Sequence, residues 1–231
     1  MDLSKTFPID TQVTNYVFLG EAGCGKSEIA VNLALWLHAL GKEVHLFDLD
    51  MTKPLFRTRD LAAKLEGNGI CLHFQEQFAD APTTAGGVRR ALTEPYCTIL
   101  DVGGDYIGAR AVGAYAPLLR REDTAVYYVI NPFRPWSTTL ERLDGVFGQI
   151  LQACHLSPDV LHLLGNPNLG PATTAQDVIE GAASMEEMLA PYKPVEFLTV
   201  EERLIPQLEG KIALPVFPLQ RQLPYPWEQE M

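Results

Sequence analysis

Gly20-Glu21-Ala22-Gly23-Cys24-Gly25-Lys26-Ser27 follows the apolar run Tyr-Val-Phe-Leu at 16–19. The spacing is G-x-x-x-x-G-K-S, that of a loop whose successive backbone amides turn toward a nucleotide's phosphates. In such a loop Lys26 neutralises the outer phosphates and the Ser27 hydroxyl ligates Mg²⁺. The flanks agree. A β-like run enters, and 27–40 leaves with Ile29, Leu33, Trp36, Leu37 and Leu40 at helical spacing, with Gly41 as the stop. The phosphates are therefore expected at a helix N-terminus, on the backbone of all eight loop residues.

Further strand ends carry acids. The stretch 42–50 reads as a buried strand ending in Asp48-Leu49-Asp50, and 96–101 as another ending in Asp101, followed by Val102-Gly103-Gly104. Acids on alternate residues point to opposite sides, so Asp48 and Asp50 cannot share one task. We assign Asp48 to the shell of the Mg²⁺ and Asp50 to the attacking water. Asp101 is the acid behind the metal, and Gly103 and Gly104 are a switch sensing the outer phosphate.

The rest of the chain alternates in the same way. Helices are expected at 60–65, 83–92, 109–121, 137–153, 174–189 and 204–209, with strands at 70–74, 125–130, 160–164, 195–200 and 212–217. Strands apolar on both faces that alternate with helices predict an α/β fold. Its three layers are a mainly parallel twisted sheet with helices on both faces. We divide the chain into a lead-in (1–13), a single nucleotide-binding domain (14–220) and an acidic, proline-rich tail (221–231).

Composition sets bounds. The chain has 231 residues, 47% of them hydrophobic and 20% charged, enough for one large core. Its formal charge of −11 opposes nucleic-acid binding, which requires a basic patch. No apolar run approaches the ~20 residues of a membrane span, and residues 1–10 lack a secretory signal, so no membrane role and a cytoplasmic location are expected. Cys24, Cys71, Cys97 and Cys154 form no C-x-x-C pair and are expected as buried or free thiols. A metal or cluster shared between two copies of one cysteine in a homodimer remains open.

Together, 20–27, Phe47-Asp48-Leu49-Asp50 and Ile99-Leu100-Asp101-Val102-Gly103-Gly104 resemble the MinD/ParA class of P-loop ATPases, from about residue 14 to 220. The resemblance implies a P-loop NTPase fold, ATP with Mg²⁺, a homodimer and a protein partner. It also implies catalysis by Lys26, Asp50 and Asp101, and a second switch at Asp101 and Gly103. Asn166 matches an adenine-reading asparagine, whose side chain can both donate and accept. Phe217-Pro218-Leu219-Gln220 matches the segment that closes over the base, which places Pro218 and Gln220 at the nucleotide.

The loop departs from the family pattern at one point. Where the class carries a lysine that reaches across a dimer to the partner's nucleotide, this chain has Glu21. A carboxylate cannot neutralise phosphate, so the replacement cation is sought among Lys53, Arg57, Arg59 and Arg134. Three functions stay in play: an ATPase switch acting on a protein, with metalloenzyme assembly as one such task; a small-molecule kinase or ligase resembling dethiobiotin synthetase; and a regulatory module with little turnover.

Overall fold

Alternation along each strand dictates a sheet buried on both faces. In the strand β1 (Asn15–Gly20), Val17 and Leu19 join one core while Tyr16 and Phe18 join the other. In β5 (Thr124–Ile130), Val126, Tyr128 and Ile130 turn one way and Ala125, Tyr127 and Val129 the other. Successive side chains must leave opposite faces, so two apolar cores require a continuous apolar run.

The computed structural model describes residues 8–50, 58–74 and 87–223. The remaining strands are β2 (Val44–Asp48), β3 (Cys71–His73), β4 (Cys97–Asp101), β6 (Leu161–Gly165), β7 (Phe197–Glu201) and β8 (Val216–Leu219). They form one eight-stranded sheet in the order β3-β2-β4-β1-β5-β6-β7-β8. Every neighbouring pair is parallel. On one face lie α1 (Lys26–Ala39) and α2 (Ala62–Gly67). On the other lie α3 (Val88–Ala91), α4 (Tyr106–Gly113), α5 (Ala116–Leu119), α6 (Leu140–Cys154) and α7 (Ala175–Leu189). This is the expected three-layer α/β fold, wholly parallel among the described residues.

The helix α1 buries Ala30, Val31 and Ala34 as well as Ile29, Leu33 and Leu37, so it is enclosed beyond a single stripe. Burying one such leucine contributes about 1.5–3 kcal/mol. Its end falls at the expected glycine: Gly41 adopts φ +79°, and its amide bonds His38 O (2.8 Å) while Lys42 N bonds Leu37 O (3.1 Å).

Several boundaries differ from expectation. The span 109–121 is two helices, because Pro117 opens α5 within its first turn. The helix α4 begins earlier, at Tyr106, where the Asp105 carboxylate caps it by accepting from Gly108 N (2.7 Å). The helix expected from 137 starts at Leu140 with Thr139 as its cap. The segment expected as a helix at 204–209 is a 3₁₀ turn, Glu202–Gln207, with Pro206 inside it. The last strand runs later than expected, at Val216–Leu219, so Pro218 lies in an edge strand, where a missing amide is tolerated. In the lead-in, Ile9 is buried and the Tyr16 hydroxyl lies 3.0 Å from the carbonyls of both Asp10 and Val13.

Candidate nucleotide site

Parallel strands bring their carboxyl ends to one edge, where ligands of open α/β sheets bind. Gly20 ends β1 there, and the loop 20–27 turns over it into α1. Gly25 stands at the helix N-cap with φ +106° and makes no side-chain cap bond. A Cβ at Gly25 would collide with the Asn166 side-chain amide, so backbone conformation and space both demand glycine. Lys26 is buried, with its ammonium donating to Gly20 O (3.0 Å) and Glu21 O (2.9 Å). A buried cation held by two neutral carbonyls and the amides of a helix N-terminus together suit an oxyanion.

The acids come from the next two strands. Asp48 and Asp101 face each other across β2 and β4, and both are buried. Asp101 accepts from the Thr58 hydroxyl (2.8 Å). Asp48 accepts from Arg59 Nε (2.9 Å) and from the amides of Arg59 (3.2 Å) and Asp50 (3.1 Å). Arg59, one of the four candidate cations, is therefore committed to Asp48 and to Asp50 O. Lys53 and Arg57 lie outside the described residues.

The segment after β4 links these parts. A Cβ on Gly104 would lie 2.5 Å from Ala22 Cα, and one on Gly103 would lie 2.8 Å from Gly108 Cα and 3.4 Å from Asp50 Oδ1. The phosphate loop, the two glycines and Asp50 thus form one run of contacts. A three-carboxylate cage is not needed for Mg²⁺, which keeps water and phosphate ligands. Ser27 in the first turn of α1 and Asp101 at its strand end fit that use. Among the described residues, no group of three or more His, Cys, Asp or Glu could hold a metal.

A cleft of about 370 Å³ opens beside the loop, lined by Gly23, Gly25, Ser27, Glu28, Asn131, Arg134, Asn166, Asn168, Gly170, Glu201, Leu219, Arg221 and Leu223. Asn166 lines this cleft; its amide donates to Cys24 O (2.8 Å) and its carbonyl accepts from Thr199 Oγ1 (3.0 Å). From the closing segment, Leu219, Arg221 and Leu223 line the cleft. Pro218 pairs with Val200 in the sheet. Gln220 exchanges backbone bonds with the Asn32 side chain, at 2.8 Å each way. The residues of this segment that line the cleft are therefore the odd-numbered ones. Glu28 holds the next turn of this segment by accepting from the amides of Gln222 and Leu223. Burial pushes its carboxyl above the ordinary glutamate range, and those amides oppose the shift.

The sequence signal missed Asn131, Asn168, Glu201 and the Glu28 anchor, because each ends or follows a strand, or starts a helix, without a recognisable spacing. Cys24, Cys97 and Cys154 are buried and Cys71 is exposed.

A parallel sheet carrying this loop at the mouth of α1 defines the P-loop NTPase fold. No protein-family model and no curated protein sequence matches the chain. Its similarity to solved structures bears on the fold alone. FtsY from Mycoplasma mycoides shares 14% identity at TM-score 0.53, covering 83% of this chain and 61% of that one. The cell division protein FtsY from Thermotoga maritima shares 17% at 0.52, covering 94% and 70%. The signal recognition particle 54 kDa protein from Aeropyrum pernix, solved with GDP, shares 16% at 0.51, covering 82% and 42%. The chain thus spans less than two thirds of the Aeropyrum and Mycoplasma proteins' lengths. No helix among the described residues is long and apolar enough to cross a membrane.

Proposed function

We propose that this chain is a Mg²⁺–ATP-binding conformational switch of the SIMIBI type of P-loop proteins, close in design to MinD/ParA, that hydrolyses ATP and signals to a protein partner. The observation that supports it most is the run of contacts from Ala22 through Gly104 and Gly103 to Asp50. A change at the phosphates is passed to that segment through this packing, the kind of linkage a switch requires.

In this reading the amides of 23–27 bind the phosphate chain, and Lys26 leaves its two carbonyls for the outer phosphates. Asp50 orients the attacking water and accepts its proton. Gly103 and Gly104 register the outer phosphate and pass its loss into α4. Mg²⁺, when bound through Ser27 and Asp101, supplies charge neutralisation at the phosphate oxygens. We assign Asp48 to holding Arg59 and the start of the following loop, since its oxygens already accept three donors. A homodimer and a protein client, with maturation of a metal centre as one such task, belong to the proposal.

One observation favours GTP as a second reading. Asn166 donates once to Cys24 and accepts once from Thr199, and the donor and acceptor it keeps serve guanine's edge as well as adenine's; the Aeropyrum neighbour was solved with GDP. Titration of labelled ATP and GTP with and without Mg²⁺, against Lys26→Ala, separates the readings. Tight, Mg²⁺-dependent ATP binding lost in Lys26→Ala supports the first, and preference for GTP supports the second. Binding of neither overturns both. Phosphate release abolished by Asp50→Asn, with binding retained, supports the assigned role of Asp50.

A further inference from the structure

The loop between β5 and α6 is tied to the phosphate loop by an unusual contact. The Glu21 carboxylate accepts from Ser137 Oγ (2.6 Å) and from Trp136 N (3.3 Å), and Glu21 is only 4% exposed. From the other side, Asn131 Nδ2 donates to Asn168 O (2.7 Å), and its Oδ1 accepts from Phe133 N (3.1 Å). Two further turns, Arg134 N to Asn131 O (3.0 Å) and Ser137 N to Arg134 O (2.9 Å), leave the segment little freedom.

Arg134 sits at the middle of this clamped segment. Its guanidinium carbon and Nε lie 3.5 Å from where a Gly23 Cβ would stand. Its Nε is buried and finds no hydrogen-bond partner among the described residues. The side chain lines the same cleft as Gly23, Gly25 and Ser27. A buried guanidinium donor left unmatched beside a cradle of backbone amides lacks an acceptor of the opposite charge. Phosphate oxygens have the geometry and charge it needs.

We propose that Arg134 is a phosphate-binding residue supplied in cis, and that Glu21 is its positioning residue, latching the β5–α6 segment so that the guanidinium overhangs the loop at Gly23. The inference deepens the nucleotide-binding reading above and rests on it. It also assigns the carboxylate at position 21 a task that a lysine there could not perform. Lysine has no acceptor for the Ser137 hydroxyl or the Trp136 amide.

The test is a competition titration in which labelled ATP is displaced by unlabelled ATP, adenosine or inorganic pyrophosphate, each with Mg²⁺. Arg134→Ala is expected to weaken ATP and pyrophosphate about 10- to 100-fold, the range for a lost charge-assisted contact, and to leave adenosine unchanged. Arg134→Lys should recover part of the loss, because it restores the charge without the fork. Glu21→Gln, which weakens the latch, should show a smaller loss with the same selectivity for phosphate. Unchanged ATP and pyrophosphate affinity in Arg134→Ala overturns the inference alone. An equal loss for adenosine also overturns it, since that marks a prop for the cleft. A parent chain that binds no nucleotide overturns the underlying reading and this inference with it. If Arg134→Ala does not fold by circular dichroism, Arg134→Gln replaces it in the same comparison.

Discussion

The side-chain amide of Asn166 donates to the carbonyl of Cys24 at 2.8 Å, joining the end of β6 to the middle of the phosphate loop. Asn166 is itself held by Thr199 in the middle of β7 (3.0 Å), so β6, β7 and the loop after β1 share one buried polar chain. Such a chain fixes geometry when every member is satisfied and is costly when one is not.

Asn166→Asp replaces that donor with a second acceptor facing Cys24 O. We expect a loss of about 1–3 kcal/mol in stability, the cost of a buried polar group left without its partner. Nucleotide affinity should fall as well. Urea unfolding and nucleotide titration check the two effects, and unchanged values in both would refute the role.

Gly104→Ala places a methyl group 2.5 Å from Ala22 Cα, against backbone rather than a yielding side-chain tip. Overpacking of this kind costs about 1–3 kcal/mol. Because the strain falls between residue 104 and the loop at Ala22, nucleotide affinity should drop in parallel. A variant with parent-like stability and binding would show that the two segments can part freely.

The Arg59–Asp48 pair is enclosed, with side-chain exposures of 13% and 1%. Arg59→Ala leaves a buried carboxylate with only amide donors. A loss of about 3–5 kcal/mol is expected, as for a broken buried pair. The double variant Arg59→Ala/Asp48→Asn should regain part of it; equal stabilities of the single and double variants would argue against the pairing.

Glu28 governs a pH dependence. Burial raises its folded-state pKa above the unfolded value, so the folded chain binds the proton more tightly. Its stabilising contribution is present below the ordinary glutamate pKa and is lost as pH rises through the raised one. The difference in unfolding free energy between parent and Glu28→Gln should therefore vary with pH on the alkaline side of the ordinary glutamate value. A pH-independent difference would exclude it.

Cysteine labelling provides a check on burial. Cys71 is exposed on the edge strand β3. Burial pushes the Cys154 thiol up to about 12 and also raises Cys97. Iodoacetamide at neutral pH should modify Cys71 first, and the two buried thiols only after unfolding, as read by peptide mass spectrometry.

The phosphate loop, its helix and the wholly apolar strands were legible in the sequence, because each is encoded locally. A glycine spacing sets the loop's turn, a 3.6-residue period marks α1, and an uninterrupted apolar run marks a strand covered on both faces. The division of 106–119 into two helices was also written locally, in the Asp105 cap and in Pro117, but the apolar pattern alone obscured it.

Tertiary structure decided which charges meet. Nothing near Arg59 in sequence announces Asp48 as its partner, and nothing near Glu21 announces Ser137, 116 residues away. Those pairings depend on strand order: β1 lies between β4 and β5, so its loop is flanked by segments the chain reaches much later. The parity of the closing segment was likewise fixed by the register of β8 on β7, where a one-residue shift exchanges the residues facing the cleft for those facing away. Local spacing is set by backbone geometry, whereas the partners of buried polar groups are set by which strand ends the sheet brings side by side.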